Sequence, residues 1–245
     1  MSDDTNPYLP PSSNLEPDSK RSEHHNQPEN FRDPTKLTKT VSGLILAGIV
    51  LIVISWGFDL MELSLLKTHQ EGVEITESFQ NQLESSDVNQ AIVGILALLL
   101  AIPQLICILM WIYRANSNVR QLGAQNMQFT PRWSVGYYFI PILNLWKPYH
   151  AMKEIYRCSQ SVSRQPEKTG LLLLRVWWFL YIVSLIISGI MGRDIWKLFT
   201  STQEPSIEQF ININILSQIS APIGIACSIT LFLIVKKIYR MQMAH

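Results

Sequence analysis

The sequence predicts an all-α integral membrane protein: four transmembrane helices, a central proline-broken segment that re-enters the membrane or lies at its interface, and a disordered N-terminal tail. Three observations predict it. Of the 245 residues, 47% are hydrophobic and only 16% charged, against about a quarter charged in ordinary soluble domains. Four apolar runs are long enough to cross a hydrocarbon core of ~30 Å. The Lys and Arg residues gather in alternate connecting segments, as the loops of a multi-pass protein do.

Residues 1–40 contain Pro7, Pro10, Pro11, Pro17, Pro28 and Pro34 among many Ser and Asn and few apolar residues. Such a composition buries too little surface to offset chain entropy, which predicts a disordered tail. Within it, Asn6-Pro7-Tyr8-Leu9-Pro10-Pro11 resembles a short N-terminal motif of several bacterial membrane proteins, and also reads as a plain linker. His24-His25 has no further ligand at useful spacing and reads as solvated tail. The first apolar run starts at Val41, too late for a cleaved signal peptide, so it is expected to stay as an anchor.

The helical membrane domain is expected over residues 41–240, with spans at about 41–62, 89–113, 171–191 and 213–235. Asp59 and Glu62, three apart, share one helical face at the outer end of the first span. They read as a solvated helix end or, more sharply, as a cation or proton site. Lys67 to Asp87 reads as an acidic polar loop. Pro103 should kink the second span, because it removes a backbone donor. After Arg114 the helix should run to about Leu122 and stop at Gly123.

The uncharged core from Trp133 to Trp146 would reach only ~21 Å as a helix. It is broken by Pro141 and flanked by Arg132 and Lys147. Irregular backbone at membrane depth is tolerated where protein covers it or a cavity adjoins it, so a re-entrant or interfacial segment over 133–146 is favoured over the alternative of five spans. Pro148 suits a helix first turn. Residues 148–163 then read as an amphipathic helix on the membrane surface, with Tyr149, Met152, Tyr156 and Val162 on its apolar side. Gly192 to about Gln209 reads as a polar loop. Ser184-x-x-x-Ser188 and Ser220-x-x-x-Gly224-x-x-x-Ser228 put small residues on one face, suited to close helix contact within the bundle or in a homo-oligomer.

With four spans, all but Lys67, Arg193 and Lys197 of the 20 Lys and Arg residues fall on one side. The positive-inside rule then predicts cytoplasmic N- and C-termini in a bacterial inner membrane. Cys107 and Cys227 lie in spans and Cys158 in a basic stretch, with no C-x-x-C, so neither disulfides nor a zinc site is expected.

The run Arg114, Asn118, Leu122-Gly123, Pro131-x-Trp133, Phe139-Ile140-Pro141, Asn144-Leu145, Lys147-Pro148-Tyr149 and Ile155 resembles the bacterial integral-membrane family called domain of unknown function 4328, best over residues 113–157. The resemblance implies a multi-helix membrane domain and no established activity. It marks Pro131, Trp133, Pro141, Asn144, Pro148 and Tyr149 as candidate interaction residues.

The residues themselves carry no metalloprotease, serine-hydrolase or P-loop motif. No catalytic residue, metal site or cofactor is expected, and no run of Lys and Arg invites nucleic acid. The favoured reading is a non-enzymatic module that engages membrane lipids or a membrane-protein partner. It would do so through the basic face of Arg114, Arg120, Arg132, Lys147, Lys153 and Arg157 and the aromatic central segment. The alternative is a small-solute or ion transport or sensing unit, acting as an oligomer, with Pro141 and Asn144 in a central cavity and Asp59 with Glu62 at its mouth. His150 reads as an interfacial residue rather than a base.

Overall fold

A computed structural model describes residues 31–70, 77–164, 169–202 and 206–244. The expected N-terminal disorder and its Asn-Pro-Tyr motif fall mostly outside the described residues. The protein is built from helices α1 (Thr35–Gln70), α2 (Glu77–Gln121), α3 (Pro131–Gly136), α4 (Lys147–Ser163), α5 (Gly170–Thr200) and α6 (Ile207–Met243), with 3-10 turns at Tyr137–Phe139 and Leu143–Leu145. Among the described residues there is no strand. Helices α1, α2, α5 and α6 are each long and apolar enough to cross a membrane.

These helices outrun the predicted spans. At 45 residues α2 is ~68 Å long, and at 36 residues α1 is ~54 Å. The segments expected as polar loops therefore continue the helices: Glu77 to Asp87 belongs to α2 and Gly192 to Thr200 to α5. Polarity marks where a helix leaves the apolar region and not where it ends, since Glu, Gln and Lys are good helix formers. At its other end α1 starts at Thr35, six residues before Val41. Local caps do mark true ends. Gly123, at φ 97°, closes α2 with Gly123 N–H to the Arg120 carbonyl and Ala124 N–H to that of Val119, the paired bonds of a glycine-terminated helix. Ser206 and Gln209 form a reciprocal capping box at the start of α6.

Hydrogen bonds fix the arrangement. The start of α1 meets the end of α2 through Trp111 Nε1 to Thr38 Oγ1 (3.0 Å), and the end of α6 through Thr35 and Tyr239 (3.0 Å). The start of α5 meets the end of α6 through Lys237 Nζ to Thr169 Oγ1 (2.6 Å). Thus α1 runs antiparallel to α2 and α6, and α5 antiparallel to α6. The end of α2 and the start of α5 lie at the same end of the bundle, so residues 122–169 leave and return there. That geometry replaces the five-span alternative, because a crossing between α2 and α5 would put their ends on opposite sides.

The helices follow the order α2, α1, α6, α5, and α2 and α5 share no substantial contact of their own. Helix α4 fills that gap at one end, touching α2, α5 and α6. Its buried residues Pro148, Ala151, Met152, Ile155, Tyr156 and Ser159 follow three- and four-residue spacing. The expected amphipathic helix is present, but its apolar face packs on protein rather than membrane. The core sits around it, joining Val41, Ile45, Trp111, Ile112, Met152, Ile155, Leu174, Trp177, Ile234 and Ile238.

Candidate functional site

The structure gathers most of the candidate residues at the end that α4 closes. Two α2 side chains hold the loop leading into α3. Asn116 Nδ2 donates to the Phe129 carbonyl at 2.9 Å, and Arg120 Nη2 donates to the carbonyls of Phe129 at 2.8 Å and Met127 at 3.2 Å. From the other side, the Glu154 carboxylate of α4 accepts the N–H groups of Gln128 (2.6 Å) and Phe129 (3.0 Å). Arg120 is therefore a structural clamp and not a free member of the basic face. Sequence reasoning missed Asn116 and Glu154; both are polar residues turned toward the loop between α2 and α3, a placement visible only once the helix phase is known.

Thr130 caps α3, accepting the Trp133 N–H at 3.3 Å, and Pro131 occupies the first turn. Trp133 is exposed and lies 5.2 Å from Tyr137 between ring centroids. Lys147 Nζ sits 5.7 Å from the ring centroids of both Phe129 and Tyr137, and Lys153 Nζ 5.7 Å from that of Tyr149, all within cation–π range. Pro148 is buried in the first turn of α4. Tyr149 faces Trp178, which stands 4.9 Å from Tyr181. His150 is exposed beside Tyr149, and Arg132 and Arg157 are exposed on the outer surface.

The segment between α3 and α4 reaches α5 through Asn144. Asn144 and the Tyr181 hydroxyl hydrogen-bond at 3.2 Å, and Tyr181 lies eleven residues past Gly170, ~16 Å along the helix. Pro141 stands exposed between the two 3-10 turns, flanked by Phe139 at 68% and Ile142 at 69% exposure. An apolar tip of that kind has no reason to face water. At the α4 exit, a Cβ on Gly170 would overlap the Tyr156 ring, whose hydroxyl meets the Gly170 backbone. Burial, helped by Glu154 and opposed by Arg120, pushes the Cys158 thiol up from its ordinary value, which makes it a poor nucleophile.

Asp59 and Glu62 lie at the opposite end. Asn214 of α6 donates to the Asp59 carbonyl (3.0 Å) and to Glu62 Oε2 (2.7 Å), while Gln90 of α2 donates to the same Glu62 oxygen (2.8 Å). Ser217 Oγ donates to Asp59 Oδ2 at 2.5 Å, and Trp56 Nε1 to Gln218 Oε1 at 2.6 Å. Among the described residues, ion pairs are confined to Asp194 with Arg193 and Lys197, so neither carboxylate has a cationic partner there. The pair is thus built into a three-helix amide network rather than left as a solvated end. Asn214 was missed, although an amide within the Ile211 to Ile215 run is a readable sign.

Below this network a cavity of about 420 Å³ opens where α2 and α5 part, lined by Asp59, Gln104, Ser184, Ser188, Ser220, Gly224 and Ser228 among others. The small residues of α5 and α6 thus face a common cavity inside one bundle. Pro141 and Asn144 do not line this cavity, so their expected place in a central cavity is not met; their own turn structure holds them at the other end. Among the described residues, no group of three or more His, Cys, Asp and Glu is placed to hold a metal.

No curated protein and no solved structure matches the chain. The family profile that does match extends well beyond the 113–157 stretch, over residues 77–240, from the start of α2 almost to the end of α6. It takes in the α4 wedge, the segment between α3 and α4 and three of the four long helices. The chain belongs to the family described as Domain of unknown function (DUF4328).

Proposed function

We propose that this protein is a non-enzymatic module of a bacterial inner membrane, with cytoplasmic termini, that gathers anionic lipid around its closed end. The observation that carries this reading is the joining at one end of Arg114, Arg132, Lys147, Lys153 and Arg157 with an exposed apolar tip. Cations near an anionic leaflet contribute about 1 kcal/mol each, and the tip at Phe139 to Ile142 supplies apolar contact beneath the headgroups. The positive-inside rule supports the orientation, and a membrane-protein partner could use the same face once lipid has oriented it.

Two experiments test it. Native nanodiscs cut from cells carry a lipid shell that can be analysed against bulk membrane. The shell is expected to be enriched about twofold in anionic lipid, with the enrichment lost in R132Q/K153Q/R157Q; equal composition in shell and bulk would end the reading. In a background without Cys107, Cys158 and Cys227, Ser163→Cys should label only after cells are opened and Ser201→Cys from outside. The reverse pattern would invert the orientation.

A second reading rests on the far-end cavity and its two carboxylates without cationic partners: passage or sensing of a small cation. In proteoliposomes it requires rubidium or proton flux that Asp59→Asn abolishes and R132Q/K153Q/R157Q leaves intact. Absence of flux in the wild-type protein sinks it.

A further inference from the structure

We infer that the groove between the segment preceding α1, the outer face of α2 and α3 binds one anionic phospholipid, its phosphate on Arg32 and Arg114 and an acyl chain along Ile106 and Met110. This deepens the lipid reading above and rests on it. The groove holds about 610 Å³. Its α2 wall is a single helical stripe from Ile106 through Met110, Tyr113, Arg114 and Ser117 to Gln121, recurring at three- and four-residue steps. That stripe is ~22 Å long and passes from apolar to cationic in the direction a lipid passes from chain to headgroup.

Each end of the groove is chemically suited to its part. Ile106 and Met110 are each 52% exposed and Tyr113 is 44% exposed, which leaves an open apolar trough beside the bilayer. At the polar end, Arg32 is anchored through its backbone: its N–H donates to Asn118 Oδ1 (3.3 Å), and its carbonyl accepts from Asn118 Nδ2 (2.8 Å). That two-bond clamp brings Arg32 to the groove without using its guanidinium. Arg114 Nη1 makes a long 3.4 Å bond to the Asp33 carbonyl. Neither guanidinium has an ion-pair partner among the described residues.

The nearby acid is Asp33, whose Oδ1 is taken by the Thr35 N–H (2.8 Å) and hydroxyl (2.5 Å). Arg114 and Lys36 both act on that carboxylate, so cations remain in excess for a phosphodiester. Arginine is suited to such a group because its planar fork can give two bonds to phosphate oxygens. A free phosphate would leave the apolar trough empty. A lipid fills both parts.

The test uses the full chain, purified in mild detergent and titrated with phosphatidylglycerol or phosphatidylcholine, with bound lipid counted by native mass spectrometry. One phosphatidylglycerol should bind saturably, about tenfold tighter than phosphatidylcholine. R32Q/R114Q should erase that preference; it spares the Asn118 clamp, which uses the Arg32 backbone. Met110→Trp, which narrows the trough and keeps both charges, should weaken phosphatidylglycerol by a similar factor. R132Q/K153Q/R157Q should retain the single tight lipid. If that variant loses it while R32Q/R114Q keeps it, the groove assignment is overturned and the broader lipid reading stands. If the wild-type protein does not distinguish the two lipids, both fall.

Discussion

The two ends of the bundle are built on different physics. At the closed end, α4 turns four long helices into something like a soluble core: Trp111, Ile112, Met152, Ile155, Tyr156, Ile234 and Ile238 are all essentially inaccessible. Gln242 is buried there and partnered: its Nε2 donates to the Ala115 carbonyl at 2.9 Å and to Ser159 Oγ at 3.1 Å. At the open end α2 shows Ile92, Ile95, Leu98 and Leu99 at its surface. Lipid chains are as apolar as those residues, so no hydrophobic gain drives helices together there. Asn214, Gln90 and Ser217 tie α1, α2 and α6 instead. The inserted helix gives this protein one densely packed end and leaves the other held mainly by side-chain hydrogen bonds.

The largest expected effect follows from the tightest packing at the closed end. Gly170→Leu forces a side chain into the space of the Tyr156 ring, and overpacking of that kind costs about 3 kcal/mol or more where the neighbour cannot retreat. Thermal unfolding in detergent should show a large drop, with Tyr156→Ala on the same chain restoring part of it. If Gly170→Leu leaves the midpoint unchanged, the packing of Tyr156 on Gly170 does not hold the closed end together.

Next in size is Glu154→Ala. It leaves the Gln128 and Phe129 N–H groups without their carboxylate, a loss of about 2 kcal/mol for charge-assisted bonds. The readout can be local: amide exchange should quicken at Gln128 and Phe129 while the far end of α2 stays protected. Uniform quickening would mean that the loop and the bundle melt as one unit.

At the open end Asn214→Leu removes bonds to the Asp59 carbonyl and to Glu62. Side-chain hydrogen bonds within a bilayer average ~0.6 kcal/mol, so about 1 kcal/mol is expected, well below Gly170→Leu. A loss as large as that of Gly170→Leu would erase the contrast between the ends.

How far the sequence foretells this architecture depends on which signal each element carries. The four spans, the Gly123 stop and the start of α4 at Pro148 are legible because hydropathy, a positive-φ glycine and an N-terminal proline act locally. The helical continuation through Glu77 to Asp87 is not, since charged helix formers look like loop once one expects a span to end. The grouping of Lys147 with Phe129 and Tyr137, and of Asn144 with Tyr181, depends on a chain reversal at Pro141 whose depth no local pattern sets. Asp59 and Glu62 are legible as a pair. Their partner Asn214, 152 residues from Glu62, becomes visible only when α1 and α6 are set side by side.

The smallest expected effect sharpens the comparison at the entrance to α1, on the rim of the closed end. The Thr35 hydroxyl and N–H, with Arg114 and Lys36 near, hold the Asp33 carboxyl below its ordinary value despite some burial. A carboxyl lowered on folding adds stability that is present above its unfolded value, about pH 4, and is lost as pH falls through the lower folded value. Asp33 is largely exposed, and solvent screening keeps the gain small. Thermal midpoints of the wild-type protein and Asp33→Asn should therefore differ slightly at pH 6 and converge as pH falls below about 4. A constant difference across that range would mean that folding does not lower the Asp33 carboxyl, and that neither the Thr35 hydrogen bonds nor Arg114 and Lys36 favour its charged form.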